Sequence, residues 1–216
     1  MTVHITANPM AAAADDLERF ALEECVRRHR IEHRVSALLL SDQRCETGIK
    51  LARIGAQVTV LGDPTQRHDI SGRILAAGLH DEISVMSTVL PELPVLVPDE
   101  PFDIIIFRCG LSTLPYDEAR RLLNRLLRQL RIGGKLYVSV LGLHSELGED
   151  YAGNEIPVEA RFSALAPILA EKYDILHPVC LYTERNLFTL LMDCGASVLR
   201  TLTTTYGSVT GIAVRV

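Results

Sequence analysis

The sequence predicts an α/β domain built around a mostly parallel sheet, and three observations support this prediction. Two apolar runs, at 35–40 and 58–61, flank a short amphipathic segment, a pattern typical of a strand–helix–strand unit. A third apolar run at 102–107 precedes the strongest helical pattern of the chain, at 116–130, where leucines recur at three- and four-residue steps. The aromatic content is 5% with no Trp, which indicates an aliphatic core of the kind that parallel sheets contain.

The first part of the chain, residues 1–34, is predicted to be a helical extension ahead of a domain at 35–216. Its helix is expected to start at one of two consecutive Asp residues that can cap it and to end near Arg30. A basic run at 27–34 overlaps the end of this helix. Because cations interact favourably with the C-terminal end of the helix dipole, we interpret this run as a solvated helix end.

The middle of the chain continues the alternation of helices and strands. A short helix that ends at Gly78 and a strand at 83–86 are predicted, followed by a proline-rich loop. The helix at 116–130 is expected to terminate at the glycine pair 133–134. A further strand is predicted at 136–141.

The last third of the chain is predicted to hold a long connection, one helix and a hairpin. The connection, 142–181, is expected to act as a lid, with a helix in its middle at 157–173. Thr183 is placed to cap the last helix, and Gly195 to end it. Two β-rich runs on either side of residues 206–207 predict an antiparallel hairpin.

Charge and composition narrow the class of protein. The net charge is −5 and the pI about 5.8, which argues against nucleic acid or an anionic membrane as a partner. The five cysteines are an odd number without a C-x-x-C pair, so neither a disulfide framework nor a zinc site is indicated. No apolar run reaches the roughly 18 residues of a membrane span, and the N-terminus lacks a basic start followed by an apolar core. We therefore expect a reduced, cytoplasmic protein.

Two turns are the default binding site in such a fold. In open α/β sheets, ligands bind beyond the carboxyl ends of the strands. The turns that follow the first two predicted strands are 41–48 and 61–64.

Three segments resemble one family, the class I S-adenosylmethionine-dependent methyltransferases. L-A-R-I-G-A-Q-V-T-V at 51–60 resembles that family's first helix running into its second strand. F-D-I-I-I-F at 102–107 resembles the fourth strand, and L-R-Q-L-R-I-G-G-K-L-Y-V-S-V at 127–140 resembles the fifth strand with the turn before it. The resemblance implies a three-layer Rossmann-like methyltransferase fold, with a mostly parallel seven-stranded sheet and a closing antiparallel C-terminal hairpin.

The cofactor-binding motif of the family is degenerate in the first turn. An ungapped alignment on 51–60 places Leu39 where the family has an acidic residue in its first strand. It places Ser41, Gln43 and Cys45 on the three glycines that let the backbone approach the cofactor.

The second and third turns also depart from the family. Gly62 falls on the acidic residue that ends the second strand, with Asp63 one place later, and Val89 falls on the carboxylate that contacts the adenine. Asp63 could restore the ribose contact, and Asp42 could act similarly in the first turn. Arg108, at the end of the fourth strand, could bind an acidic group or pair with Asp42 or Asp63. The predicted residues for binding S-adenosylmethionine are Ser41, Asp42, Gln43, Cys45, Gly62, Asp63 and Arg108.

A polar segment at 144–151, H-S-E-L-G-E-D-Y, is the candidate for catalysis. One interpretation makes His144 a general base at the mouth of the site, with Glu146 and Tyr151 contacting the substrate. The other interpretation makes the segment a polar surface loop. No metal site is predicted.

Two functions stay open at this point. The first is an S-adenosylmethionine-dependent methyltransferase with a divergent donor site, acting on an unknown small molecule. The second is a catalytically inactive protein of the same fold that serves as a binding or scaffolding subunit. A homodimer is a further possibility if the first helix presents an apolar surface.

Overall fold

A central sheet organises the fold of this protein in a computed structural model. The structure describes residues 16–31, 34–42, 44–92 and 101–216. The strands in these residues are β1 Ser36–Leu40, β2 Gln57–Gly62, β3 Ile83–Ser87, β4 Phe102–Arg108, β5 Leu130–Val140, β6 Phe162–Ser163, β7 Val179–Cys180, β8 Ala196–Thr203 and β9 Val209–Arg215.

Seven of these strands form one sheet in the order β3-β2-β1-β4-β5-β9-β8, and β6 and β7 pair separately. The first five strands in this order are parallel to one another. β9 is antiparallel to both β5 and β8. The Rossmann-like, mostly parallel sheet with a closing hairpin is therefore confirmed.

Helices cover both faces of the sheet. They are α1 Asp16–His29, α2 Glu46–Arg53, α3 Arg67–Ala77, α4 Tyr116–Gln129, α5 Pro167–Lys172 and α6 Glu184–Asp193. The predicted ends at Gly78 and Gly195 are confirmed, with φ of +68° and +80°. The predicted cap of the last helix is also confirmed. The Thr183 hydroxyl accepts a hydrogen bond from the Asn186 amide at 3.1 Å, and the Asn186 side chain accepts one from the Thr183 amide at 3.0 Å.

The predicted boundary between α4 and the next strand is wrong. The chain leaves the helix at Leu130, which has extended backbone angles, and β5 begins at that residue. Two long-range contacts hold the chain at the point where α4 gives way to β5. Arg215 donates a hydrogen bond to the carbonyl of Arg128 at 2.7 Å, and Arg131 pairs with the buried Asp103 at 3.1 Å. The glycine pair lies inside β5.

The predicted helix at 157–173 is also wrong for most of its length. Only Pro167–Lys172 is α-helical, and Pro167 stands in the first turn, where proline is tolerated. The residues before it form a 3₁₀ turn, Val158–Ala160, and strand β6.

The two faces of the sheet have separate hydrophobic cores. One core packs α4 and α6 against residues such as Leu38 and Phe107. The other packs α1, α2 and α3 against Leu39 and Val60. Leu17 of α1 is 1% exposed in this second core. The described part of the predicted N-terminal extension therefore shares the core of the domain.

The connection at 142–181 forms a packed cap with a small core of its own, which includes Leu147 and Val179. The cap lies tightly against the C-terminal hairpin. A Cβ atom on Gly142 would lie 1.7 Å from the carbonyl oxygen of Gly207. The predicted lid is thus held against the domain by buried contacts.

Candidate functional site

A cleft opens at the carboxyl ends of β1, β2 and β3, where both predicted turns meet. Its empty volume, open side included, is about 570 Å³. The described residues that line it are Leu40, Ser41, Asp42, Leu61, Gly62, Asp63, Gln66, Thr88, Val89, Leu90 and Thr113.

The first turn has a glycine-like backbone at two residues that are not glycine. Ser41 and Cys45 have φ of +64° and +54°, in the left-handed region that costs other residues about 1–2 kcal/mol. Gln43, the third residue of this predicted set, lies outside the described residues. The Cys45 side chain is fully buried, and its Sγ is 3.0 Å from the place a Cβ on Gly48 would take. Burial raises the pKa of this thiol to about 12, so Cys45 packs as a neutral side chain.

Asp42 shapes the start of α2. Its carboxylate accepts a hydrogen bond from the Gly48 amide at 3.0 Å, and its carbonyl accepts one from the Cys45 amide at 3.0 Å. Burial raises the pKa of Asp42, while the Gly48 hydrogen bond and the charge of Arg108 act in the opposite direction.

The second turn carries an acid, Asp63, directly after the last residue of β2. Asp63 caps a 3₁₀ turn, accepting hydrogen bonds from the Thr65 amide at 2.8 Å and the Thr65 hydroxyl at 2.6 Å. Gly62, which precedes it, faces α3: a Cβ there would lie 3.1 Å from Cδ1 of Ile70. A side chain at 62 would therefore contact α3, whereas Asp63 lines the cleft.

The third wall of the cleft is apolar. Val89 and Leu90 follow β3, and the Thr88 amide ties this segment to β2 through a 3.0 Å bond to the Gly62 carbonyl. Val89 is 41% exposed. This wall could pack against a flat apolar ring.

The turn after β4 requires glycine. A Cβ on Gly110 would lie 2.2 Å from Cε2 of the buried Phe107 and 3.2 Å from Cδ1 of Leu90. Cys109, before it, has φ of +53° and donates its amide hydrogen to the Ser139 carbonyl at 2.9 Å. Leu90 of the cleft wall therefore lies directly beside this turn.

Arg108 lies beside the cleft and faces α1. It forms an ion pair with Glu18 at 3.2 Å, and Glu18 also accepts a hydrogen bond from the Thr47 hydroxyl at 3.0 Å and pairs with Lys50. We call Glu18, Thr47, Lys50 and Arg108 the Glu18 cluster. No local sequence pattern indicates a role for Glu18, because its partner Arg108 is 90 residues away.

The three residues predicted on the segment 144–151 are not brought together at the cleft. His144 is exposed and does not line the cleft. Glu146 pairs with Lys172 and accepts a hydrogen bond from the Tyr173 hydroxyl. Tyr151 is 3% exposed, and its hydroxyl lies 2.5 Å from the carbonyl oxygens of Arg161 and Val179. Both residues therefore contact other residues of the cap, and neither lines the cleft.

Neither a metal-binding cluster nor a membrane-spanning helix is found in the part of the chain that the structure describes. No group of three or more His, Cys, Asp or Glu side chains is arranged to hold a metal ion. No helix there combines the length and the apolar character that crossing a membrane requires.

Comparison with known proteins identifies the fold. No family model and no curated protein sequence matches the chain. Many solved structures do match, among them an O-methyltransferase family protein from Burkholderia thailandensis, with a TM-score of 0.67 and 14% identity over 95% of this chain and 57% of that one. The chain has the class I methyltransferase fold.

Two further solved structures match most of this chain. An S-adenosylmethionine-dependent methyltransferase from Methanosarcina mazei matches with a TM-score of 0.65 and 19% identity, over 88% of this chain and 97% of that one. The cyclase SpnF matches with a TM-score of 0.63 and 15% identity, over 92% of this chain and 80% of that one. For three matching methyltransferase structures, the Burkholderia protein among them, this chain spans 55–63% of their length.

Proposed function

We propose that this protein binds S-adenosylmethionine in the cleft and acts as a methyltransferase on a small molecule. The observation that carries the proposal is the lining of the cleft, where Asp63, directly after β2, and the apolar residues Val89 and Leu90, after β3, line the same cavity. A nucleoside has the matching chemistry, with hydroxyls on the ribose and a flat base.

The residues of the cleft fit the nucleoside and the sulfonium of this cofactor. Leu61, Val89 and Leu90 would pack against the adenine, and the Asp63 carboxylate would accept the ribose hydroxyls. The described lining holds two carboxylates, Asp42 and Asp63, and no Lys, Arg or His. That charge favours a cationic ligand such as a sulfonium.

When bound, S-adenosylmethionine would supply an electrophilic methyl group. The chain would contribute binding, alignment of the acceptor and exclusion of water, which can be sufficient for methyl transfer to a reactive acceptor. His144 stays a predicted base only, since its ring does not line the cleft. Unchanged turnover in a His144→Ala variant would remove it from the mechanism.

A binding or scaffolding protein of the same fold is the second candidate. The side chains at Ser41 and Cys45 favour it, because they occupy a turn where glycines would leave room for a cofactor. The match to the cyclase SpnF also indicates that this fold is not confined to methyl transfer.

Calorimetric titration distinguishes the two candidates. The ligands are S-adenosylmethionine, S-adenosylhomocysteine and 5′-methylthioadenosine, which has the nucleoside part without the amino acid. We expect saturable one-to-one binding, weakened about 10- to 100-fold in Asp63→Asn because a charged hydrogen bond is lost. Thr65→Val is the control. It removes the protein hydroxyl that donates a hydrogen bond to Asp63 and leaves the Asp63 carboxylate in place. If no ligand gives heat at millimolar concentration, the cofactor proposal is wrong and the scaffolding candidate stands.

A further inference from the structure

Glu18 presents a buried carboxylate at the edge of the sheet that carries the cleft. The residue is 8% exposed and is held by Thr47, Lys50 and Arg108. Burial alone would raise its pKa, but hydrogen bonds from Lys50 and Thr47 and the charge of Arg108 outweigh burial and lower it. Glu18 is therefore ionised at neutral pH.

The three groups that hold this carboxylate come from two elements of the cleft edge. Thr47 and Lys50 belong to the first two turns of α2, and Arg108 ends β4. Asp42 lines the cleft, and its carboxylate accepts a hydrogen bond at 3.0 Å from the amide of Gly48, the residue that follows Thr47 in α2. The Glu18 cluster therefore lies next to Asp42, beyond the residues that line the cleft.

These groups form a receptor for any carboxylate that reaches them. An Arg, a Lys and a hydroxyl give charge-assisted hydrogen bonds, and the N-terminal end of α2 adds a favourable dipole. Glu18 itself comes from α1, a separate helix that packs over this edge.

We propose that Thr47, Lys50 and Arg108 form a carboxylate-binding subsite at the end of the cleft, which Glu18 occupies as an internal competitor. The inference rests on the proposed binding of an adenosyl ligand. The amino-acid carboxylate of S-adenosylhomocysteine or S-adenosylmethionine must displace Glu18 before it can use this subsite. A ligand without that carboxylate has nothing to displace.

The relative affinities of two ligands test this proposal in the wild-type protein. With the subsite occupied, S-adenosylhomocysteine is expected to bind no more than a fewfold tighter than 5′-methylthioadenosine. If it binds more than tenfold tighter, Glu18 does not block the subsite and the proposal is wrong. This measurement needs no variant, so it does not depend on how well any variant folds.

Glu18→Gln tests the subsite directly. The amide keeps the shape and an acceptor for Thr47 but removes the charge that holds Lys50 and Arg108. We expect S-adenosylhomocysteine to gain about 10- to 100-fold in affinity, as one charged hydrogen-bonded contact is released to the ligand. The affinity for 5′-methylthioadenosine should stay unchanged, which also shows that the variant is folded. Adding Arg108→Gln to this variant should abolish the gain.

Glu24→Gln is the matched control. Glu24 is another buried carboxylate of α1, 4% exposed, but it pairs with Arg27, Arg28 and Lys135 away from the cleft lining. Its loss should leave the ratio of the two affinities as in wild type. If Glu18→Gln changes both affinities equally or neither, the subsite is refuted while nucleoside binding stands. If neither ligand binds to either protein, both proposals fall.

Discussion

Asp103 provides the sharpest test of how the two layers of this fold are joined. It lies in β4, is 0% exposed, and accepts a hydrogen bond from Arg28 of α1 at 2.9 Å. Arg131 of β5 pairs with it at 3.1 Å, and the Ser36 amide at the start of β1 donates to it at 2.9 Å. One carboxylate therefore connects α1, β1, β4 and β5 at the end of the sheet opposite the cleft.

Asp103→Ala is expected to lower the free energy of unfolding by about 3–5 kcal/mol, the usual cost of removing one partner from a buried ion pair. The guanidinium groups of Arg28 and Arg131 would lose a counter-charge while their side chains are 14% and 25% exposed. Arg28 keeps its ion pair with Glu24 at 2.6 Å, which places the cost toward the lower end of this range.

Urea denaturation followed by far-UV circular dichroism measures this change. Glu23→Ala is the control, because Glu23 pairs with Arg19 at 3.1 Å with both side chains more than half exposed. Such a pair contributes about 0.2–1 kcal/mol. A loss of less than about 1 kcal/mol in Asp103→Ala, with an unchanged denaturant slope, would show that the buried pairs do not hold the layers together.

Two further predictions concern the cleft wall and the pH dependence of stability. Gly110→Ala should lower the free energy of unfolding by about 1–3 kcal/mol, because the added methyl group would overpack against Phe107, and it should weaken ligand binding by displacing Leu90. Gly72→Ala is the control, because Gly72 lies in α3 with open space around it and the change should not destabilise the protein. Equal losses of stability in the two variants would contradict the packing argument. Burial opposes the ionisation of Glu24, but its hydrogen bonds with Arg27, Lys135 and Arg28 lower the pKa from 4.5 to about 2. Because the folded state holds this acid ionised, the stabilisation is complete above pH 4.5 and is lost as the pH falls toward 2. Denaturation at a series of pH values should show a smaller acid loss in Glu24→Gln.

The strands of the parallel sheet are predictable because both of their faces are buried. Four of the five residues of β1 and six of the seven of β4 are buried, so each strand appears in the sequence as a mostly apolar run, which Asp103 interrupts near the start of β4. The beginning of β5 is not predictable in this way. Leu130 continues the leucine repeat of α4. The chain is extended there in the structure, where Arg131 pairs with Asp103 and Arg215 donates a hydrogen bond to the Arg128 carbonyl.

The sequence also predicted where the cleft lies but not which side chains complete it. The rule that ligands bind beyond the carboxyl ends of parallel strands placed the turns at 41–48 and 61–64 at one edge, where both line the cleft. Tyr151, by contrast, is a residue type that often contacts ligands, but its side chain is buried in the core of the cap. Its hydroxyl is satisfied by backbone carbonyls of the cap, which no local pattern indicates.

The sequence by itself determined the class of fold and the order along the chain of the seven strands of its main sheet. Hydrophobic periodicity and turn chemistry are local, so a few residues suffice to specify them. Only the tertiary structure decided that Glu18 faces Arg108, that Gly110 supports the cleft wall and that the cap is packed rather than open. Those features depend on distances between residues far apart in the chain, which the sequence does not encode locally.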